Sequence, residues 1–259
     1  MSNRMMEIQD GNNRFRARWE KAGADAMQVM YQQSISTDPN LTKIVVWDGE
    51  NSLDLRRAIY PEYKGNKKPS PENFHETMEL YKEVLRHSNC IQISLPGYEA
   101  DDVIRALAVD SNKQIVIDSN DADFLVLVND RISVTREEMP NVQSQHIPIY
   151  KALVGDKSDN IPGLKGFGEG TWAKLSAEQI GHLENHFNNT HRLTSVECKE
   201  LLGFTKGLVN KWDESVEALD MYYKVIQFIP INMELIGQHL EFGVYDQAKA
   251  MAVLLPFLQ

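Results

Sequence analysis

Short apolar runs that end on an acid, separated by helical stretches, narrow the folds open to this chain more than any other feature. Leu41 to Trp47 (LTKIVVW) reads as a buried strand that Asp48-Gly49 ends with a turn pair. Gln114 to Asp118 (QIVID) repeats the pattern just ahead of Asp121 and Asp123. Ile91 to Leu95 is a further strand, followed by Pro96-Gly97 and a helix beginning near Glu99, with Val103, Ile104, Leu107 and Ala108 on its buried face. Met5 to Gln9 adds a weaker strand, in which only Met6 and Ile8 alternate, leading into Asp10. Strands alternating with helices predict an α/β fold with a mostly parallel central sheet, whose ligands bind outside the carboxyl ends of the strands.

The acids fall at that edge. Asp10, Asp48, Glu99, Asp101, Asp102, Asp121 and Asp123 all stand at a predicted strand end or helix start. Taken singly, each has an ordinary explanation, since Asp-Gly makes turns and an acid near a helix start caps it. Together they would repel one another and raise one another's pKa unless cations were bound. Two more, Asp156 and Asp159, sit three residues apart before a glycine-studded hairpin containing Gly163, Gly166 and Gly168. Those glycines let backbone N–H groups approach an anion without side-chain interference. Carboxylates for a divalent ion beside a phosphate cradle point to a nuclease on a nucleic-acid backbone.

Net charge at first argues the other way, because 37 acids against 27 Lys and Arg leave −10. Distribution matters more than the sum. Arg56, Arg57, Lys64, Lys67 and Lys68 share a stretch with one acid, Glu62, and Arg4, Arg14, Arg16, Arg18 and Lys21 form a second basic group. The two cysteines, Cys90 and Cys198, supply neither a disulfide framework nor a zinc quartet. No apolar run approaches the roughly 20 residues that span a bilayer, and Met1 to Asp10 lacks a signal-peptide layout, so a cytoplasmic protein without membrane contact is expected.

At this point six segments carry a resemblance. Asp10-Gly11-Asn12-Asn13, Val45 to Gly49, Tyr60 to Lys67, Gly97 to Ile104, Ser119 to Asp123 and Gly155 to Gly163 resemble, in order, motifs of the 5′ nuclease family. That family includes flap endonucleases, phage 5′ to 3′ exonucleases and the nuclease domain of bacterial DNA polymerase I. The resemblance covers roughly residues 5 to 175. It implies a PIN-like catalytic domain and a helical lobe with a helix-hairpin-helix, and Pro140 and Pro148 put the boundary between them near residues 140 to 150, giving 1–145 and 146–259. It also implies a phosphodiesterase using two Mg²⁺ ions, replaceable by Mn²⁺, on DNA with a 5′ end, flap or nick, and on RNA–DNA hybrids at primers.

Carried onto this sequence, the resemblance gives each residue a role. Asp10, Asp48, Glu99, Asp101, Asp102, Asp121 and Asp123 would serve the first metal directly or through water, and Asp156 and Asp159 the second. Lys64, Asp102 and Asp121 would be the catalytic residues, with Lys64 offsetting charge on the scissile phosphate. Arg16, Arg56, Lys67, Lys165 and Lys174, with Gly163, Gly166 and Gly168, would hold the DNA backbone without reading bases. Hairpin carbonyls would hold K⁺. The expected state is a monomer in a bacterial or phage-infected cell.

The chain also departs from the family pattern. Pro71 to Ser88 reads as an amphipathic helix with Phe74, Met78, Tyr81 and Leu85 on one stripe, a pattern of core packing. With Glu72, Glu76, Glu79 and Glu83, it is less basic than a strand-threading arch should be. Gly170 stands where many relatives carry a lysine. Beyond residue 175, Leu201 to Phe204 and Glu217 to Phe228 read as helical, and His182, His186 and His191 as surface or capping residues. Leu254 to Gln259 reads as a packing segment. Two other functions fit parts of the sequence: a non-catalytic branched-DNA binder in replication, and a PIN-like ribonuclease. The acid set argues against the first, the double-strand grip of the hairpin against the second.

Overall fold

A computed structural model describes residues 5–22 and 26–257. In chain order, the first half holds β1 (Met5–Asp10), α1 (Gly11–Ala22), α2 (Ala26–Ser34), β2 (Leu41–Trp47), α3 (Asp54–Ile59), α4 (Phe74–Leu85), β3 (Ile91–Ser94), α5 (Ala100–Asp110) and β4 (Gln114–Asp118). A 3-10 turn (Ala122–Leu127), β5 (Ile132–Val134), α6 (Ile147–Val154), α7 (Glu169–Trp172), α8 (Ala177–Phe187) and α9 (Ser195–Glu200) follow. The remainder comprises α10 (Lys206–Ile226), α11 (Met233–Gly237), β6 (Leu240–Phe242) and α12 (Gln247–Leu254). Arg4 and the final Leu258-Gln259 of the expected packing segment lie outside the described residues.

These elements gather into two compact units, each built from separate stretches of chain. One unites Met1–Leu53, Lys68–Glu137 and Ile229–Gln259; the other unites Asp54–Lys67 with Glu138–Phe228. The single boundary at 145/146 expected from sequence is therefore crossed twice, because α3 joins the second unit and the last thirty or so residues return to the first.

In the first unit a six-stranded sheet runs β5-β4-β1-β2-β3-β6. All neighbours pair in parallel except β3 with β6. β1, the strand with the poorest alternation, lies between β4 and β2, with Ile8 opposite both Ile44 and Ile117. A strand buried on both faces has no need to alternate. β5 and β6 escape the sequence reading because each has three residues, too few for a periodic signal.

One cluster of the core joins Phe15 of α1 and Met30 of α2 to Trp47, Phe74, Tyr81, Leu85 and Leu254. The expected stripe Phe74, Met78, Tyr81 and Leu85 is buried in it, and Phe15 stacks on Tyr81 at 5.8 Å between ring centres. α5 buries Val103, Ile104, Leu107 and Ala108 against β1 and β2. Fold class and sequence expectation agree: a mostly parallel sheet flanked by helices, with a separate helical unit.

The helical unit packs α10 against α6, α9 and α3. Leu201 to Phe204 is not helical. α9 ends at Glu200, and Gly203 takes φ +68°, a left-handed conformation that leads the chain to the Thr205 cap of α10. His186 is not a surface group either. It is 2% exposed, with Nε2 3.1 Å from Asp220 Oδ1 and Nδ1 accepting from the Leu193 N–H at 3.0 Å. Burial outweighs the Asp220 charge and lowers its pKa. No described helix is long and apolar enough to cross a membrane.

Candidate metal centre and phosphate-binding hairpin

Because β1, β2 and β4 are parallel neighbours, their carboxyl ends open on one edge of the first unit, and the acids that follow them lie along it. Asp10 closes β1 and is 4% exposed. Its Oδ1 accepts the Asn13 N–H at 3.0 Å and its Oδ2 accepts the Ser119 hydroxyl at 2.9 Å. Asp48 follows β2; its Oδ1 accepts the Ala100 N–H at 2.9 Å, so it sits on the first turn of α5. Its own N–H donates to Asn12 Oδ1 at 2.9 Å.

Asp121 caps the 3-10 turn after β4, its Oδ1 accepting the Asp123 N–H at 3.0 Å. Its backbone N–H donates to Ser119 Oγ at 3.1 Å. Ser119 is wholly buried, so one hydroxyl couples Asp10 to the Asp121 turn. An acid-by-acid reading overlooks it because serine carries no charge; its place one residue after β4, before Asn120-Asp121, was the available signal.

Burial is the main reason that the Asp10 pKa rises from 3.8 to about 7, and the charges of Asp48 and Asp121 push it the same way. Asp48 and Asp121 are thus each near enough for their charge to act on Asp10. Glu99 occupies the N-cap position of α5 and is 2% exposed, while Asp101 is half-buried in the first turn. Asp102 faces inward at 0% exposure, and its Oδ1 accepts the Ile229 N–H at 2.7 Å, a bond that ties the returning C-terminal stretch to α5.

Among the described residues, no group of three or more His, Cys, Asp or Glu side chains is gathered closely enough to hold a metal ion by itself. The donor set still suits a hard divalent cation. Mg²⁺ takes oxygen ligands, keeps several waters and needs only one or two direct carboxylates. A carboxyl whose charged form is disfavoured by burial and by two neighbouring charges gains most from such an ion.

In the helical unit, the segment from α3 to Lys67 is sewn to the loop that carries Asp156 and Asp159. Tyr60 Oη donates to Asn160 O at 2.9 Å, Asn160 Nδ2 to Glu62 O at 2.8 Å and Asn66 Nδ2 to Lys157 O at 2.7 Å. Lys64, at φ +53°, puts Nζ 3.7 Å from Asp159 Oδ1. Asp156 pairs at 2.8 Å with Lys151, a residue that the sequence reading passed over inside an apolar helix.

Arg56 corrects its expected role on the DNA. It is 4% exposed, and its guanidinium donates to the carbonyls of Val225 at 3.0 Å and Gln227 at 3.3 Å, at the end of α10. A basic run in sequence hides one arginine that faces the interior. Arg16 is exposed, 4.6 Å over the Phe74 ring, and donates to Ser70 Oγ at 3.2 Å. Lys67, Lys165 and Lys174 are exposed.

α6, the turn through residues 155–168 and α7 make a helix-hairpin-helix. Its glycines differ. Gly163, at φ +71°, is walled in: a Cβ there would lie 2.6 Å from Leu153 O and from Gly155 N. It lets the turn close and is not the open cradle position expected. Gly166 and Gly168 have open space at that position and are exposed, so their backbones can be approached.

A parallel sheet with acids at its carboxyl edge, accompanied by a helix-hairpin-helix, defines the class, and sequence comparison agrees: the chain belongs to the 5′-3′ exonuclease family. The family model for the N-terminal resolvase-like domain matches residues 21–153, and that for the C-terminal SAM fold matches residues 142–235. Among particular relatives, the thermostable DNA polymerase I of Thermus aquaticus is 33% identical over 196 residues, 70% of this chain and 23% of that protein. The 5′-3′ exonuclease of Aquifex aeolicus is 35% identical over 161 residues, 56% of this chain and 55% of that one. The chain thus spans about a quarter of the polymerase and about half of the exonuclease. The T5 5′-exonuclease with zinc ions bound shares the fold over 98% of both chains, with a TM-score of 0.63 and 21% identity.

Proposed function

We propose that the chain is a Mg²⁺-dependent 5′ nuclease that hydrolyses DNA phosphodiester bonds at 5′ ends, flaps or nicks, with Mn²⁺ able to substitute. The observation that carries this reading is the convergence of Asp10, Asp48 and Asp121 from three adjacent parallel strand ends, one of them buried with a raised pKa. Family membership supports it. When bound, divalent ions supply a water of lowered pKa and an electrophile for the leaving oxygen.

The chain's own residues do the positioning. Asp10 and Asp48 present carboxylate oxygens from fixed backbone anchors, and Ser119 holds Asp10 against the Asp121 turn. Lys64 offers an ammonium to a phosphate, and Asp156 and Asp159 serve the second ion. Gly166, Gly168, Lys165 and Lys174 grip duplex phosphates without regard to base sequence, and the hairpin is the segment that would hold K⁺. RNA–DNA hybrids are substrates of the same chemistry. The protein works as a monomer in the cytoplasm.

The test is cleavage of a 5′-labelled flap duplex as Mg²⁺ is raised from zero. Short 5′ fragments should appear only with metal, Asp121→Asn should abolish them, and Lys64→Ala should lower kcat far more than DNA affinity. Tight binding without cleavage at any Mg²⁺ concentration would make the protein a junction binder instead.

A further inference from the structure

α6 buries one cation among apolar neighbours. Ile147, Ile149, Tyr150, Ala152 and Leu153 are core residues, and Lys151 is buried with them at 9% exposure. An ammonium removed from water is costly unless it is paired and hydrogen-bonded. Its Nζ lies 2.8 Å from Asp156 Oδ2, with both side chains 11% exposed.

The other carboxylate oxygen is also engaged. Asp156 Oδ1 accepts the Ser158 N–H at 2.8 Å and the Ser158 hydroxyl at 2.5 Å. Reciprocal backbone bonds between Asp156 and Ile161, 2.8 Å each, close the loop and fix the main chain from which the carboxylate reaches Lys151 and Ser158. Burial pushes the Asp156 carboxyl up, but the Lys151 ammonium and the Ser158 donors outweigh it and hold it below its ordinary value. Asp159 has an ammonium as well, that of Lys64.

A divalent ion arriving at Asp156 therefore meets a carboxylate whose charge is already answered. An ammonium and a metal ion sharing one carboxylate repel each other at close range, and a doubly charged ion feels that repulsion more than a single charge does. We propose that Lys151 is a positioning residue that serves as a built-in counter-cation for Asp156, so that a divalent ion gains this acid only by displacing the ammonium. The inference rests on the metal-dependent reading above. It makes the second ion the weaker one in the free protein and gives Lys151 control over its affinity.

Mn²⁺ titration followed by electron paramagnetic resonance tests it on wild type, Lys151→Gln and Lys151→Arg. Removing the charge should tighten the weaker class of Mn²⁺ sites at least five-fold and leave the tighter class unchanged. Lys151→Arg should stay near wild type. A merely structural lysine would not tighten metal binding when lost, so unchanged or weaker Mn²⁺ binding in Lys151→Gln overturns the proposal. Should that variant unfold, the wild-type protein answers through the ¹⁵N resonance of the Lys151 ammonium, assigned by its loss in Lys151→Arg. It should shift over the Mg²⁺ range that fills the weaker class, and a signal unmoved at saturation overturns the proposal. No Mn²⁺ binding at all would instead remove the metal-dependent reading, and this inference with it.

Discussion

At Asp10 the protein keeps a proton that its unfolded chain would release. With a folded pKa of about 7 against an ordinary 3.8, the native state binds more protons than the unfolded state between those values. Stability of the metal-free protein should therefore fall as pH rises from about 4 through about 7. Urea unfolding in EDTA at about pH 5 and about pH 8 should show a loss on the order of 2 to 4 kcal/mol, largely recovered by Mg²⁺. Asp10→Asn should flatten the profile. Arg56 is the second residue whose test separates roles. Arg56→Ala leaves the Val225 and Gln227 carbonyls at the end of α10 without its guanidinium. A loss of roughly 2 to 3 kcal/mol is expected in thermal unfolding, with DNA affinity and its salt dependence unchanged well below Tm.

Elements with a strong period were legible, and those without one were not. Leu41–Trp47 and Gln114–Asp118 were readable to the residue because each is a compact apolar run with an acid at its end. β6 carries Leu240-Glu241-Phe242, half-exposed at an antiparallel edge, and nothing in three such residues announces a strand. The acids at the sheet edge were legible as charges, whereas the burial of Ser119 and Lys151 and their partners Asp10 and Asp156 are not printed in sequence. The hairpin shows the same limit. Its glycines look equivalent in sequence, yet Gly163→Ala should cost at least 1 to 3 kcal/mol, as estimated for strained backbone, and lower Tm. Gly168→Ala, at φ −116° and with open space around it, should fold normally and weaken duplex binding in fluorescence anisotropy.

Across the whole molecule, the class of fold was in the sequence and the path of the chain was not. Alternating strands and helices specify the parallel sheet, but which stretches share a core depends on pairings distant in sequence, such as Asp102 with Ile229 and β3 with β6. That return has a consequence for how the protein is made. On the ribosome, Ile91 to Ile93 leave the exit tunnel long before Leu240 to Phe242 exist, so the open side of β3 must wait through the synthesis of Glu138–Phe228, the larger stretch of the helical unit. Contacts separated by so much chain form slowly, and an unpaired strand edge invites pairing with other chains. Until the residues of β6 emerge, the sheet lacks its partner on that side of β3, and chaperone protection matters most over that interval.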